Sequence, residues 1–353
     1  MSPSSTSSPA PEQVPAGEPA PREPRALRPG VREMLVRFLT LREGSIIVVT
    51  LLTTLYFTLS TQHFFTHANF INVLPYFAPF AILAAGEVFL MINGEIDLSI
   101  GAVYLFAPFM FHEFHIAGLP LLVALALAMV MCLLVGLANG LLTTFLRINS
   151  FITTLGMLLA LTGLTLIISD AQPVSTPGTD VIGERSTFAK VFGGGTYSEL
   201  IWALVIVVVL QLVLSFSRWG IYTVAVGSNR IGAAEAGIRV RLVIIRNFVL
   251  CSLCAGLVGV LEAVRTTSVQ PDPSGANEVL FGGIAAAVIG GTLLAGGSGT
   301  VVGALLGALL LGVLNDGLII TGVNADYLNF YLGLAIILAM AANTYVGRVR
   351  TSG

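Results

Sequence analysis

Ten apolar stretches, each close to the length of a bilayer crossing, alternate with short polar segments along most of this chain. They run at 45–61, 71–93, 98–117, 119–146, 150–169, 199–217, 244–265, 280–296, 299–320 and 327–346. A crossing helix needs about 20 mostly apolar residues, so the pattern predicts an all-α polytopic membrane protein with about ten transmembrane helices. Two junctions, second to third and eighth to ninth, are short and glycine-rich rather than charged loops. The first 44 residues break the pattern. Ser, Pro, Ala and Glu dominate up to Arg28 without apolar periodicity, the composition of a disordered tail. The tail is long, Pro-rich and without the short apolar core of a signal peptide. Within it, Val31–Leu39 reads as an amphipathic surface segment, with Arg32 and Arg37 reaching toward headgroups. The expected organisation is therefore a cytoplasmic tail over 1–44, a membrane domain over 45–347 and a short cytoplasmic tail over 348–353.

Composition agrees. Apolar residues make up 55% of the 353 and charged residues 10%, against about a quarter charged in an ordinary soluble domain. The net charge of −2 conceals a bias along the chain. Arg22, Arg25, Arg28, Arg32, Arg37 and Arg42 precede the first span, and Arg147 follows the fourth. Arg218, Arg230, Arg239, Arg241 and Arg246 surround the sixth-to-seventh loop, and Arg348 and Arg350 close the chain. With ten spans all of these fall on one side, which the positive-inside rule makes cytoplasmic. Only Arg185, Lys190 and Arg265 fall outside. Both termini are expected in the cytoplasm, and the chain in the cell (plasma or inner) membrane.

Three segments carry candidate mechanism. Asn93-Gly-Glu-Ile-Asp-Leu-Ser-Ile-Gly101 places Glu95 and Asp97 between two spans, beside Asn93, Ser99 and Gly101. Charge and broken helix at membrane depth are tolerated where they are packed in protein or line a watery path; the plainer reading is a polar surface turn. Near the N-terminus of the next helix, Asp97 can accept hydrogen bonds from backbone N–H groups freed by the break. In the sixth-to-seventh loop, Gly227, Asn229 and Arg230 lead into Ala233-Ala-Glu-Ala-Gly-Ile238. Ala233, Ala234 and Glu235 favour helix, Gly237 suits its C-terminal cap, and Ile238 follows. A short stiff helix of small residues is a suitable lever for a cytoplasmic partner. The third segment holds Gly290, Gly291, Thr292, Gly296, Gly297 and Gly299, which permit unwinding. Gly299, Gly303 and Gly307 share a helix face that allows close helix contact. No Gly-Lys-Ser/Thr follows these glycines, which excludes a phosphate-binding loop.

These segments together resemble a known family. Gly94-Glu-Ile-Asp-Leu-Ser-Ile-Gly101 looks like the Gly-Gly-Ile-Asp-Leu-Ser-Val-Gly motif of ribose/xylose/galactose-type permease subunits of ABC importers. The run Val226-Gly-Ser-Asn-Arg through Ala-Ala-Glu-Ala-Gly-Ile238 resembles that family's coupling segment, which sits in a groove of the ATPase subunit. The Gly-Gly-Thr and Gly-Gly-Ser-Gly stretch resembles its C-terminal motif, and Gly136-Leu-Ala-Asn-Gly140 another of its positions or plain helix packing. Glu95 departs from the family's usual Gly, which alters the electrostatics of the break. The resemblance implies a subunit without catalytic residues or cofactor of its own, with ATP and Mg on two partner ATPase subunits. It also implies a second permease subunit, identical or related, an extracytoplasmic solute-binding protein, and a monosaccharide or related polyol as cargo; nucleic acid is not an expected partner. The alternative is an ion-coupled secondary transporter using Glu87, Glu95 and Asp97.

Other candidates carry less. Cys132, Cys251 and Cys254 fall in apolar spans and read as packing rather than as a redox or metal site. His63, His67, His112 and His115 fall near the outer face and read as interfacial residues. The outer loop near 170–198 is long enough to dock a partner.

Overall fold

The computed structural model describes residues 43–178, 186–324 and most of 327–341. The surface segment 31–39, nearly all of the N-terminal tail and the 348–353 tail lie outside the described residues. Besides a short helical stretch at Thr187–Ala189 and Lys190–Gly194, the helices are α1 (Gly44–Ser60), α2 (His67–Ile92), α3 (Ile100–Ile116), α4 (Leu121–Phe145), α5 (Ser150–Ile168), α6 (Ser198–Phe216), α7 (Arg218–Ser228), α8 (Arg230–Glu235), α9 (Val240–Thr266), α10 (Pro273–Ile289) and α11 (Val301–Ile320). A further apolar helical segment covers Tyr327–Leu338. Among the described residues, α2, α4, α5, α6, α9 and α11 are long and apolar enough to cross a membrane, and α1, α3, α10 and Tyr327–Leu338 are shorter apolar helices. Among the described residues, the strand content is one two-residue antiparallel ladder, β1 (Val174–Ser175) on β2 (Ser268–Val269).

Each apolar stretch of the sequence contains a helix, most with ends within a few residues. The eighth differs. Expected at 280–296, it runs instead over Pro273–Ile289. Its start is set by polar chemistry: Asp272 accepts from the Ser274 and Gly275 N–H groups at 2.8 and 3.2 Å, and Pro273 needs no partner for a missing N–H. Its end is set by Gly290–Gly291. A hydropathy window sees neither. α7 is a second correction: the region between the sixth and seventh spans is not one loop with one small helix but two helices meeting at Asn229.

The layering separates a buried centre from an exposed rim. α2, α9 and α11 bury most of their length, whereas α4, α5 and α6 bury under a third. The rim helices expose Leu122, Leu134, Ile152, Leu159, Val208 and Leu212, apolar side chains suited to lipid rather than water. Lipid offers no hydrophobic drive between helices, so close backbone approach has to hold the bundle together. At the α4–α9 crossing a Cβ on Gly136 would lie 2.7 Å from the Phe248 carbonyl oxygen. At the α10–α11 crossing Gly303 seats against the Gly290 backbone and Gly307 against Ala286. Gly299 precedes α11 and belongs to the turn instead of to that helix face.

Candidate coupling and translocation site

The break between α2 and α3 begins with a glycine-ended helix. Gly94 has φ +70°, and the Gly94 and Glu95 N–H groups donate to the Met91 and Leu90 carbonyls at 2.9 and 3.1 Å. This satisfies two of the last carbonyls of α2, the job of an αL glycine at a helix end. The extended residues that follow borrow partners from α5: Ile96 N–H donates to Ser150 Oγ at 3.4 Å and Leu98 N–H to Thr154 Oγ1 at 3.0 Å. Asp97 is fully buried. Its Oδ1 accepts from the Ser99 N–H at 2.8 Å and the Ser99 hydroxyl at 2.6 Å, while Asn139 on α4 donates to Ser99 Oγ at 2.8 Å. The freed backbone groups are thus answered inside protein, as non-helical chain at membrane depth requires.

Two other segments come to the same place. In the 290–300 turn, Gly297 N–H donates to the Ile92 carbonyl at 2.7 Å, tying the two breaks together. α7 arrives end-on, and Gly227 lies so close that any side chain there would strike the Ile92 carbonyl oxygen. Asn229 then caps α8 by accepting from Gly232 N–H at 2.9 Å. From the first residue of α8, Arg230 Nη2 donates to the Asn93 carbonyl and to Glu95 Oε1, both at 2.6 Å. A charge-assisted bond therefore joins the short helix directly to the break.

Behind this contact lies a buried polar chain. Asn93 donates to the Thr223 carbonyl at 2.8 Å and accepts from Asn247 on α9 at 2.6 Å; Asn247 in turn accepts from Trp219 Nε1 at 2.7 Å. Asn93 and Asn247 are buried, so these bonds hold α7, α9 and the break in one geometry. On α8 itself, Ala233 faces inward while Ala234 and Glu235 face out, as does Gly237 in the turn that follows. Ile231 is 74% exposed. Beside α8, Arg147, Arg230, Arg241 and Glu95 line a hollow of about 410 Å³.

The family model described as "Branched-chain amino acid transport system / permease component" matches residues 69–340. The chain belongs to this permease family. The permease is 37% identical over 313 residues to the xylose/arabinose import permease protein XylH of Sulfolobus acidocaldarius, covering 87% of this chain and 86% of that protein. It is 34% identical over 304 residues to the ribose import permease protein RbsC of Escherichia coli, covering 85% and 92%. With the D-allose transport system permease protein AlsC of Escherichia coli the identity is 28% over 309 residues, covering 86% and 92%. No solved structure matches the chain significantly. The permease is accordingly a multi-pass membrane transport subunit and not an enzyme.

Of the residues singled out in the sequence, Asn93, Glu95, Asp97, Ser99, Gly227, Asn229, Arg230, Gly296 and Gly297 gather in this one region of the permease. Thr292 is buried just after α10, where Gly290 and Gly291 end that helix. Gly101 is a correction: it lies in the first turn of α3, a Cβ there standing 2.7 Å from the Ala276 carbonyl oxygen, and is a packing residue rather than part of the break. The short helix is also longer at its start than its alanines suggest, running Arg230–Glu235, because Asn229 supplies a cap. Sequence reading passed over Asn247, Trp219, Thr223, Ser150 and Thr154. An amide near the start of an apolar span, beside Arg246, was the available signal for Asn247; the hydroxyls of α5 offered none, since serine and threonine are ordinary residues in membrane helices. The three cysteines are buried and free. The histidines serve locally: His112 Nδ1 lies 2.9 Å from the Ser175 carbonyl, His115 Nδ1 3.0 Å from the Leu119 carbonyl, and His67 Nε2 3.2 Å from the Tyr197 hydroxyl.

Proposed function

We propose that the chain is the membrane subunit of an ATP-driven importer of a neutral monosaccharide or related polyol, and that α8 is its point of coupling to a cytoplasmic ATPase. The family description mentions amino acids, but the relatives compared above, aligned over 85% or more of this chain, are named for xylose and arabinose, ribose and allose. Two such subunits, two ATPases carrying ATP and Mg, and an extracytoplasmic binding protein make the working assembly. Ten spans follow if α1, α3, α10 and the 327–346 segment cross together with the six longer helices. Both termini are then cytoplasmic, with the membrane domain at 45–347 between the tails at 1–44 and 348–353.

The observation that carries the mechanism is Arg230. It belongs to the helix a partner can reach, yet its guanidinium holds the carbonyl and carboxylate of the break in the membrane domain. Movement of α8 by an ATPase has to be felt at Asn93–Ser99 and, through Gly297 and the Ile92 carbonyl, at the 290–300 turn. A partner biases the permease only by touching its two states differently. Exposed Ile231, Ala234 and Gly237 are the contact surface for that difference. Replacement of Ala234 or Gly237 by Arg is expected to abolish uptake and the ATPase's response to binding protein while membrane insertion stays normal. Gly237 has φ +81° and open space around it, so Ala234→Arg is the cleaner variant. Normal sugar-stimulated ATPase activity in both variants would remove the coupling assignment.

A further inference from the structure

At the end of the bundle opposite α8, the first turns of α2, α10 and α6 meet the middle of α3 and the last turns of α9 and α11 around a cavity of about 1310 Å³. That exceeds the about 300–1,000 Å³ of a typical small-molecule site, so it is a chamber rather than a fitted pocket. Its chemistry is one-sided. Five carboxylates line it, from Glu199, Glu262, Asp272, Glu278 and Asp316, against the guanidinium of Arg265. Arg265 is already engaged, bonded to Glu262 and 3.3 Å from Glu199. Asp316 accepts from Asn69 at 2.7 Å, and Asp272 caps α10. Glu278 is exposed in the chamber, and no hydrogen bond or ion pair engages it among the described residues.

The backbone adds acceptors. Pro75 and Pro79 on α2 line the chamber, and a proline has no N–H to give the carbonyl four residues earlier. Those carbonyls belong to Ile71 and Pro75, which also line it. Asn72 and Tyr76, one helical turn apart, stand on the same wall as amide and aromatic groups. A surface rich in carboxylate and carbonyl acceptors, with its cation occupied and aromatic area alongside, suits a ligand that is mainly a hydroxyl donor. It repels an anion.

Resting on the sugar reading above, we propose that this chamber is the outer holding site for the cargo, and that it admits neutral polyhydroxylated sugars while excluding anionic ones such as uronates. The test uses the permease–ATPase complex in nanodiscs without binding protein, with D-xylose and D-glucuronate as probes in saturation-transfer NMR. The expected result is transfer to xylose and none to glucuronate. Glu278→Arg should weaken xylose binding about tenfold or more, the size of one lost hydrogen bond to a charged group, and admit glucuronate. Asn72→Leu, which leaves the charge alone, should weaken xylose without admitting glucuronate. Equal transfer to both sugars in the unaltered complex, or no difference between it and the two variants, would overturn the assignment. Uptake of D-xylose, D-ribose and amino acids by the full transporter with its binding protein separates the two readings. Sugar uptake with unaltered probe binding in the variants sinks the chamber alone, whereas amino-acid uptake with none of sugar sinks the cargo reading and the chamber with it.

Discussion

The junction at α8 and the chamber at the far end of the same bundle are built on opposite plans. At the junction, Asn93, Asn247, Trp219, Thr223 and Arg230 are linked by short direct hydrogen bonds, and Gly227 leaves no space against the Ile92 carbonyl. At the chamber, carboxylates, amides and tyrosines surround open volume, and among the described residues Glu278 has no bond to hold it. On the proposed reading, the difference shows how one helix pair can serve coupling at one end and passage at the other. α2 and α9 run through both regions, with satisfied polar groups at one end and unspent acceptors at the other. A joint that must transmit a displacement needs one geometry, because a loose contact absorbs motion. A passage for a sugar needs many weak and interchangeable acceptors, since a tight site would trap its ligand.

Substitutions at three places in the junction set the comparison on a scale. The largest effect is expected from Gly227→Val. Its side chain must displace the Ile92 carbonyl and with it the Gly297 contact, costing about 3 kcal/mol or more. Membrane levels and thermal unfolding of the purified complex should both fall; a chain of unchanged stability would show that the junction is looser than its contacts imply. Asp97 comes next. Asp97→Leu strands the buried Ser99 N–H and hydroxyl at about 1–3 kcal/mol for each unsatisfied group, so uptake at matched membrane levels should fall by about tenfold or more. Asp97→Asn keeps an acceptor oxygen and should retain partial transport. Asn as inactive as Leu would mean that the charge itself matters; Leu as active as the natural residue would remove the turn-holding role. The smallest effect belongs to the ion pair, because the Arg230 side chain is 47% exposed and solvent screens it. Glu95→Arg or Arg230→Glu alone should cost about 1 kcal/mol or less, a severalfold loss of uptake. The exchanged double variant should recover part of it, read as a double-mutant cycle on uptake. Strict additivity would mean that the Glu95–Arg230 pair carries no coupling.

Much of this architecture was legible along the chain. Helices of about bilayer length follow from the apolar runs, the break from Gly94 and Asp97, and the short helix from its alanines and Gly237, because each depends on propensity and periodicity within one segment. Where reading failed, the cause lay in chemistry outside the apolar pattern. Asp272 and Pro273 started α10 before its hydrophobic run, Asn229 lengthened α8, and Gly101 on α3 packs against α10.

The sequence by itself determined that this is a helical membrane protein with glycine-marked breaks and arginine-rich segments between its spans, since lipid forces every backbone group to find a partner nearby. It also held the motifs that place the chain in its family. Only the tertiary structure decided that the 93–99 break, the 290–300 turn and α8 are one junction, with Glu95 meeting Arg230 across 135 residues of chain. Only the fold gathered Asn72, Glu262, Glu278 and Asp316 around a single chamber. Contacts between distant segments depend on how helices cross, and that is set by small-residue seams such as Gly136 on α9 and Gly303 on Gly290, whose partners no local pattern names.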